Sequence, residues 1–234
     1  MATASGRERA RPDSEAALDE RRAAIDDLGA ALRILVERSV ATEASADDLR
    51  RVAAQVRAAT LPLGEQVRRR DQLPSADDLL GGVRLYNPVT GAGSAMAPPL
   101  RIETVDSTVV GTCTLGLAYE GPPMYVHGGF SALLMDQMLG YAITAAGNPG
   151  MTVNLVTQYR APVPLQTPLR LTAQIAEVEG RKVTARGTIA TAADPGVILV
   201  EATGVFVALR PDQARRLFDA VLGPDAAHPS VAHD

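Results

Sequence analysis

One carboxylate stands out in the middle of the chain. Between Glu120 and Arg160 the only formally charged residue is Asp136, which lies inside the apolar segment YVHGGFSALLMDQMLGYAITAAG. A carboxylate in apolar surroundings is destabilising unless it is paired or used. Two interpretations follow. Asp136 either bonds a backbone amide or a hydroxyl for structural reasons, or it is a catalytic carboxylate.

The neighbours of Asp136 favour the catalytic interpretation. Ala132 and Gly140 lie four residues before and after it, and therefore on the same face of a helix. Their small side chains leave space for a backbone, a partner helix or a substrate to approach the carboxylate.

The tripeptide His127-Gly128-Gly129 opens the same apolar segment. Two glycines leave backbone N–H groups unshielded, and the free N–H groups of a helix N-terminus can stabilise a developing oxyanion. The structural alternative is that His127 caps the helix and that the glycines only allow a tight entry into it.

The spacing of these two features predicts an assembly. Asp136 follows His127 by nine residues, which is about 13 Å along a helix at a rise of 1.5 Å per residue. Groups that far apart cannot act on one atom within a single chain. If both act on one substrate, a second copy must supply one of them, so we expect a dimer with antiparallel helices and composite sites.

Other hydrolytic mechanisms lack the residues that they need. A Ser-His-Asp triad requires a base histidine, but His228 and His233 stand in a polar tail and no G-x-S-x-G elbow is present. The single cysteine, Cys113, lies in a strand pattern where a small hydrophobe is expected, and it excludes an internal disulfide. Metal ligands at suitable spacing are missing, so we expect no metal and no cofactor besides the substrate.

The composition narrows the class of protein. The chain has 234 residues, 46% of them hydrophobic, and a net charge of −4, which is typical of a globular protein and disfavours a nucleic-acid binder. No apolar run reaches the roughly 18–20 residues of a membrane span. The start MATASGRERARPDSE lacks the apolar stretch of a signal peptide. We therefore expect a cytoplasmic protein without a membrane span.

Alternation of apolar and polar residues predicts strands from Leu100 to Leu209. The predicted elements are a hairpin, one long helix from Gly128 to about Ala146, and a meander of four strands. The predicted strands cover Leu100–Asp106, Val109–Tyr119, Thr152–Ala161, Leu169–Val178, Val183–Thr191 and Val197–Leu209. This order predicts an α+β domain in which an antiparallel sheet of five to six strands wraps a helix.

A helical extension precedes this domain. Residues 1–13 are small and polar and are predicted to be disordered. Helical spacing of apolar residues begins at Ser14, where Asp13 or Ser14 could cap the helix, and a second helix runs from Ser45 to Leu61-Pro62. The helix pair could be an oligomerisation arm or a lid, but packing on the core as an extension is the favoured interpretation. The predicted domains are 1–94, 95–210 and a tail at 211–234.

The core segment resembles a known family. The stretches VHGGFSALLMDQMLG, MTVNLVTQYRAPVP and EVEGRKVTARGTI are similar to the hotdog-fold acyl-CoA thioesterases of the phenylacetate-pathway type, particularly members that act on fatty acyl-CoA. The resemblance covers roughly residues 95–210 and implies a hotdog fold.

The resemblance also implies roles for individual residues. Gly129, together with Gly128, offers backbone N–H to the thioester carbonyl, and Asp136 of the partner subunit is the general base or the nucleophile. Thr152 helps to position the water or the carboxylate. His127 orients the loop. The residues implied for the phosphates of coenzyme A, each of which could equally be a solvated side chain, are Arg160, Arg181, Lys182 and Arg186, with Gln158 as a weaker polar contact.

The function implied by the resemblance is hydrolysis of acyl-CoA to a carboxylic acid and coenzyme A, on a fatty or aryl acyl group, by a homodimer or a dimer of dimers. A non-catalytic module that binds acyl-CoA or lipid is the second interpretation, with residues 14–61 as its interaction element. A hotdog hydratase or dehydratase is the third.

Overall fold

The structure is a computed structural model that describes residues 15–78, 82–98, 100–210 and 212–213. The predicted disordered start, the caps at Asp13 and Ser14, and almost all of the predicted tail with His228 and His233 lie outside the described residues.

Six antiparallel strands form a single sheet in the described part of the chain. The strands are β1 (Arg101–Val105), β2 (Thr108–Thr114), β3 (Met151–Tyr159), β4 (Pro168–Glu179), β5 (Lys182–Thr191) and β6 (Ile198–Val207). Their order across the sheet is β1-β2-β4-β5-β6-β3, so β1 and β3 are the edge strands. The predicted order of elements along the chain, a hairpin, a helix and four further strands, is confirmed. The predicted four-strand meander is wrong, because β3 pairs with β6 rather than with β4, so only β4, β5 and β6 form a meander.

The sheet turns at the sites where the sequence has turn residues. Gly180 joins β4 to β5 with a φ of +56°, a left-handed conformation that glycine adopts without strain. One predicted boundary was wrong, because β2 ends at Thr114 and a short 3-10 helix, Leu117–Tyr119, follows.

One long helix lies against the sheet. This helix spans Gly128–Ala145 and packs on β2, β4, β5, β6 and β3. Its buried face carries large apolar side chains that are almost fully removed from water and that meet Phe206 and other apolar residues of the sheet: Leu134, Met135, Met138, Leu139 and Ile143. Burial of these side chains supplies the main driving force for packing. The predicted hotdog architecture, a long helix wrapped by an antiparallel sheet, is therefore confirmed.

Two helices precede the sheet, α1 (Glu15–Ala41) and α2 (Ala46–Thr60), so the helix of the core is α3 in chain order. Helix α2 begins within one residue of its predicted start, and Ser45 caps it, since the Ser45 side chain accepts a hydrogen bond from the Asp48 N–H. The apolar stripe predicted for α1 is only partly covered, because Leu28 is 42% exposed and Val36 is 38% exposed. No residue of α2 is buried.

Helix α1 docks on the core through backbone and polar contacts. Gly29 lies so close to the loop at Ala92 and Gly93 that a Cβ atom at residue 29 would overlap the Ala92 carbonyl oxygen. Glu37 accepts hydrogen bonds from the Leu117 and Ala118 N–H groups at 2.9 and 3.1 Å. The favoured interpretation, a helix that packs on the core, thus describes α1, whereas α2 contacts mainly the short 3-10 helix Pro62–Gly64.

The hydrophobic core extends across residue 95, where the sequence suggested a domain boundary. Val89 is 2% exposed and belongs to the same cluster of buried side chains as Leu134 and Phe206. In the described ranges, no helix is long and apolar enough to cross a membrane.

Candidate active site

Asp136 and Thr152 are hydrogen-bonded to each other. The Thr152 hydroxyl, Oγ1, lies 2.9 Å from Asp136 Oδ1 and donates to the carboxylate. Asp136 is on α3, and Thr152 is the second residue of β3, the edge strand that runs back beside the helix. The turn Gly147–Gly150 makes this meeting possible, and Gly147 adopts a φ of +76° there. The contact fixes the orientation of the carboxylate.

The carboxylate is half-buried rather than deep in the core. Asp136 lies in a groove of about 570 Å³, which we call the carboxylate groove. One wall is α3, the second is the start of β3, and the third is a loop that precedes the sheet. Besides Asp136 and Thr152, the groove is lined by Gly82, Val83, Arg84, Leu85, Asn87, Thr90, Ala92, Gln137, Gly140, Tyr141, Thr144, Gly150 and Phe206.

Gly140 keeps the groove open beside Asp136, as expected from its small size. The nearest atom to a Cβ built on Gly140 is a ring carbon of Phe206 at 4.0 Å. No side chain of the described residues therefore fills the space directly above this glycine.

The second predicted feature, His127–Gly129, forms the corner by which the chain enters α3; we call it the oxyanion corner. His127 is the N-cap, and its Nδ1 accepts a hydrogen bond from the Gly129 N–H at 3.0 Å. In the described part of the chain, the Gly128 N–H donates no hydrogen bond, whereas the Gly128 carbonyl accepts one from the Tyr159 hydroxyl at 2.9 Å. At the positive end of the α3 dipole, the Gly128 N–H is therefore without an acceptor among the described residues and the Gly129 N–H is bonded to an imidazole.

The carboxylate groove and the oxyanion corner are open to solvent and separated along α3. His127 and Gly129 are exposed, and Gly128 is half-buried. Gly129 and Asp136 are seven residues apart on the same helix, or about 10 Å at the α-helical rise. The structure thus brings Asp136 and Thr152 together but does not bring either of them to the glycines within one chain.

The outer edge of the sheet is apolar next to both features. Strand β3 pairs only with β6 in the described residues, and its exposed side chains include Val153, Val156 and Tyr159, at 61%, 50% and 54% exposure. An unpaired strand that exposes backbone groups and apolar side chains is a template for pairing with another strand.

The residues predicted to bind phosphate form two groups. Arg160, Arg186 and Gln158 lie on or beside the sheet face that points away from α3, and Gln158 and Arg186 line a groove there. Arg160 is engaged, because it bonds Gln158 at 2.6 Å and Glu201 at 3.0 Å.

Arg181 and Lys182 stand at the turn between β4 and β5. Arg181 donates to the Ala208 carbonyl at 2.9 Å, and Lys182 lies 3.7 Å from a carboxylate oxygen of Glu179. Lys182 pairs with Val207, which pairs with Met151, so these cations are at the Thr152 end of the sheet. Arg160, by contrast, follows Tyr159, which bonds Gly128.

Cys113 is buried and faces the core from β2. Burial raises the pKa of the Cys113 thiol to about 12, so the thiol is protonated at neutral pH and is not a nucleophile. Within the described ranges, no group of three or more His, Cys, Asp or Glu residues is placed to hold a metal ion.

Sequence reasoning missed the loop that forms the third wall of the carboxylate groove. Asn87 holds this loop, because its Oδ1 accepts from the Val89 and Thr90 N–H groups and its Nδ2 lies 3.3 Å from Gln137 Oε1. An Asn-Pro dipeptide such as Asn87-Pro88 is typical of a turn, but its position in the sequence gives no sign of a contact with Gln137, 50 residues away.

Asp77 anchors the same wall. Its side chain is 2% exposed, accepts a hydrogen bond from the Leu85 N–H at 2.9 Å and forms an ion pair with Arg84 at 3.3 Å. A buried carboxylate with two partners stabilises the loop at the mouth of the groove. In the sequence this residue was one of two adjacent aspartates without a recognisable motif.

Comparison with known proteins places this geometry among thioesterases. Residues 124–197 match the model of the thioesterase superfamily. A thioesterase superfamily protein of known crystal structure is 39% identical in sequence to this chain. The two structures align with a TM-score of 0.70 over 78% of this chain and 94% of that chain.

Two curated relatives match shorter stretches. Acyl-coenzyme A thioesterase THEM4 of Mus musculus is 35% identical over 98 residues, which are 42% of this chain and 42% of the relative. Acyl-coenzyme A thioesterase THEM4 of Xenopus laevis is 34% identical over 92 residues, 39% of this chain and 41% of the relative. The chain therefore spans about two fifths of the length of the curated relatives that it matches.

Proposed function

We propose, from the premise that this chain belongs to the thioesterase superfamily, that it hydrolyses acyl-CoA thioesters to a carboxylic acid and coenzyme A. The observation that carries the proposal is the hydrogen bond from Thr152 to Asp136, which orients a half-buried carboxylate in an open groove. The acyl-CoA thioesterases similar to this chain support the choice of substrate class.

The reaction uses one oxygen of Asp136 and one backbone donor. Thr152 holds Oδ1, which leaves Oδ2 to accept a proton from water as the water oxygen attacks the thioester carbonyl carbon. The carbonyl oxygen becomes an oxyanion, stabilised by the N–H of Gly128 or Gly129. The carbon–sulfur bond then breaks, and the thiolate of coenzyme A takes up a proton. The alternative role, Asp136 as nucleophile, produces a mixed anhydride that hydroxylamine traps.

The site is composite and requires two chains. Because the glycines and Asp136 lie about 10 Å apart on one helix, the thioester carbonyl meets the oxyanion corner of one protomer and the carboxylate groove of its partner. Pairing of two β3 edges through their exposed apolar side chains is the arrangement that brings the two α3 helices together antiparallel. Both features lie on the helix face that the sheet leaves uncovered.

The antiparallel dimer also brings the two groups of cations close to each other. In an antiparallel dimer the Thr152 end of one chain meets the Gly128 end of the other. Arg181 and Lys182 of one protomer and Arg160 of its partner then flank one site, where they could contact the phosphates of coenzyme A. Gln158 and Arg186 extend this polar surface on the outer sheet face.

A panel of acyl-CoA substrates with a thiol indicator tests the proposal. We expect thiol release by the wild-type protein and a fall of at least about 100-fold in kcat for Asp136→Asn, the usual scale for loss of a general base. Asp106→Asn is the matched control, since it neutralises an exposed carboxylate in the turn between β1 and β2 that lines no part of the carboxylate groove.

The outcome separates the three functions under consideration. Tight binding of acyl-CoA without thiol release would support the non-catalytic binding module. A change at the acyl double bond without thiol release would support the hydratase or dehydratase. Near wild-type turnover by Asp136→Asn would show that the carboxylate is structural.

A further inference from the structure

A second groove lies between α1 and the first turn of α3. It measures about 460 Å³, which is in the usual range for a small-molecule site. We call it the α1 groove. Its lining is mostly apolar and comes from α1, the loop before β1, the short helix after β2 and the first turn of α3: Arg33, Ile34, Val36, Glu37, Ala95, Met96, Thr114, Gly116, Ala118, Tyr119 and Phe130.

The charged groups of the α1 groove are already satisfied by the protein. Glu37 accepts from two backbone N–H groups of the short helix, and Arg33 donates to the carbonyls of Ala92 and Ser94. Neither needs a polar ligand. The surface that remains for an occupant is hydrocarbon and aromatic, and an apolar chain gains free energy by covering it.

Exposed apolar side chains border the groove. Ile34 is 53% exposed and Met96 is 63% exposed. These two residues are 62 positions apart in sequence, yet both line the α1 groove. A contiguous apolar surface of this kind marks a binding site more often than scattered single residues do.

The α1 groove reaches the first turn of α3, directly after the oxyanion corner in the chain. Phe130 follows Gly129 directly and lines the groove, where its ring packs edge-on against Tyr119 with a centroid separation of 5.0 Å. A thioester carbonyl held at Gly129 is therefore next in sequence to a residue that lines this apolar groove.

From this placement we propose that the α1 groove binds the acyl chain of the substrate, so that the N-terminal helix determines the chain-length preference of the enzyme. The inference rests on the proposed function, because it takes an acyl thioester as the occupant. It assigns medium and long aliphatic chains as preferred substrates, since each methylene buried along the groove adds to binding.

A charge placed in the groove tests the assignment. We expect Ile34→Glu and Met96→Glu to lower the ratio of kcat/KM for dodecanoyl-CoA to kcat/KM for butyryl-CoA by at least about 10-fold, because only the long chain must pass the new carboxylate. Val40→Glu is the matched control. Val40 is also on α1 and 53% exposed, but it does not line the groove, and its ratio should equal that of the wild type.

A binding measurement tests the groove independently of turnover. The chain contains no tryptophan, so Met96→Trp in an Asp136→Asn background introduces one reporter at the rim. We expect its emission to shift to shorter wavelength with dodecanoyl-CoA and to stay unchanged with free coenzyme A.

The results distinguish this proposal from the proposed function. If the wild type releases no thiol from any acyl-CoA but the reporter responds to the dodecanoyl chain, the hydrolase assignment fails and the groove stands. An unchanged chain-length ratio in both glutamate variants, or a silent reporter, overturns the groove assignment whatever the activity. Dissociation of the dimer by Ile34→Glu alone would instead identify the groove as an interface between copies.

Discussion

Thr152 orients Asp136, the carboxylate of the proposed site. A carboxylate that rotates freely presents either oxygen to the substrate, whereas a hydroxyl bonded to Oδ1 at 2.9 Å keeps Oδ2 in one direction. Preorganisation of this kind contributes to the rate because no reorientation is needed when the reaction occurs.

Substitution of Thr152 separates the hydroxyl from the shape of the side chain. We expect Thr152→Val, which keeps the branching, to lower kcat by about 10-fold or more with a smaller effect on KM, because it removes an interaction that orients the reacting group. Thr152→Ser should restore most of the activity. Equal kinetics for the valine variant and the wild type would show that the hydrogen bond is incidental.

Cys113 makes the stability of the protein depend on alkaline pH. The pKa of the thiol is raised by burial to about 12 in the folded chain, whereas an unperturbed cysteine has a pKa near 8.5. The stabilising contribution of the neutral thiol is complete below the unfolded pKa. It is lost between about pH 9 and pH 12, because only the unfolded state releases the proton in that interval.

Urea unfolding under reducing conditions measures this effect. Between pH 9 and pH 10 the free energy of unfolding of the wild type should fall by about 1.2 kcal/mol more than that of Cys113→Ala. The variant lacks the thiol and serves as the baseline for all other groups that titrate in the same range. Identical pH slopes for the two proteins would contradict the burial argument.

At the scale of elements, one close contact holds α1 on the core. Gly29 meets the backbone at Ala92 and Gly93, where no side chain fits, and Arg33 and Glu37 continue the contact along the helix. The helix is therefore positioned by backbone proximity and polar bonds more than by its apolar stripe. This explains why its outer apolar residues remain exposed.

A large side chain at Gly29 should detach α1. We expect Gly29→Leu to reduce the hydrogen-exchange protection of α1 and to lower the free energy of unfolding by about 1–3 kcal/mol, the usual effect of overpacking. Ala31→Leu, on the exposed side of the same helix, is the control and should leave both unchanged. A Gly29→Leu protein with fully protected α1 amides would show that the loop yields and that the contact does not hold the helix.

At the scale of the whole molecule, the proposed site exists only in a pair of chains. Helix α3 carries both catalytic features, but its rigidity keeps them about 10 Å apart. A two-fold symmetric dimer completes two sites, because each chain contributes its glycines to one site and its carboxylate to the other.

Mixed dimers test the composite site directly. One chain carries Asp136→Asn, and the other carries Gly129→Pro, which deletes a donor N–H at a position early in the helix where proline is tolerated. Each homodimer should be inactive, while an equal mixture of co-expressed chains should show about a quarter of wild-type activity, because half of the dimers hold one intact site in two.

Gly128→Pro beside Gly129→Pro identifies the donor. An inactive homodimer for only one of the two proline variants assigns the oxyanion bond to that N–H, because a proline at the other position leaves the donor in place. If demonstrably mixed and folded dimers are inactive in both pairings, the site is built within one chain and the composite mechanism is wrong.

The sequence by itself determined the local architecture and the candidate residues of the proposed site. Alternation and helical periodicity report which face of an element is buried, so the order of strands and α3 could be predicted to within a few residues. The link between Asp136 and Thr152 was implied by the family resemblance, and the short turn between their elements is compatible with it. An isolated carboxylate in an apolar helix is a strong local signal.

Only the tertiary structure decided how the N-terminal segment contributes to the site. Gly29 against Ala92, Asn87 beside Gln137 and Ile34 near Met96 join parts of the chain that are 50 to 63 residues apart. These contacts are made by backbone atoms, by satisfied polar groups and by exposed apolar side chains. None of these leaves a periodic pattern in the sequence, because periodicity records burial along one element and not the choice of a distant partner.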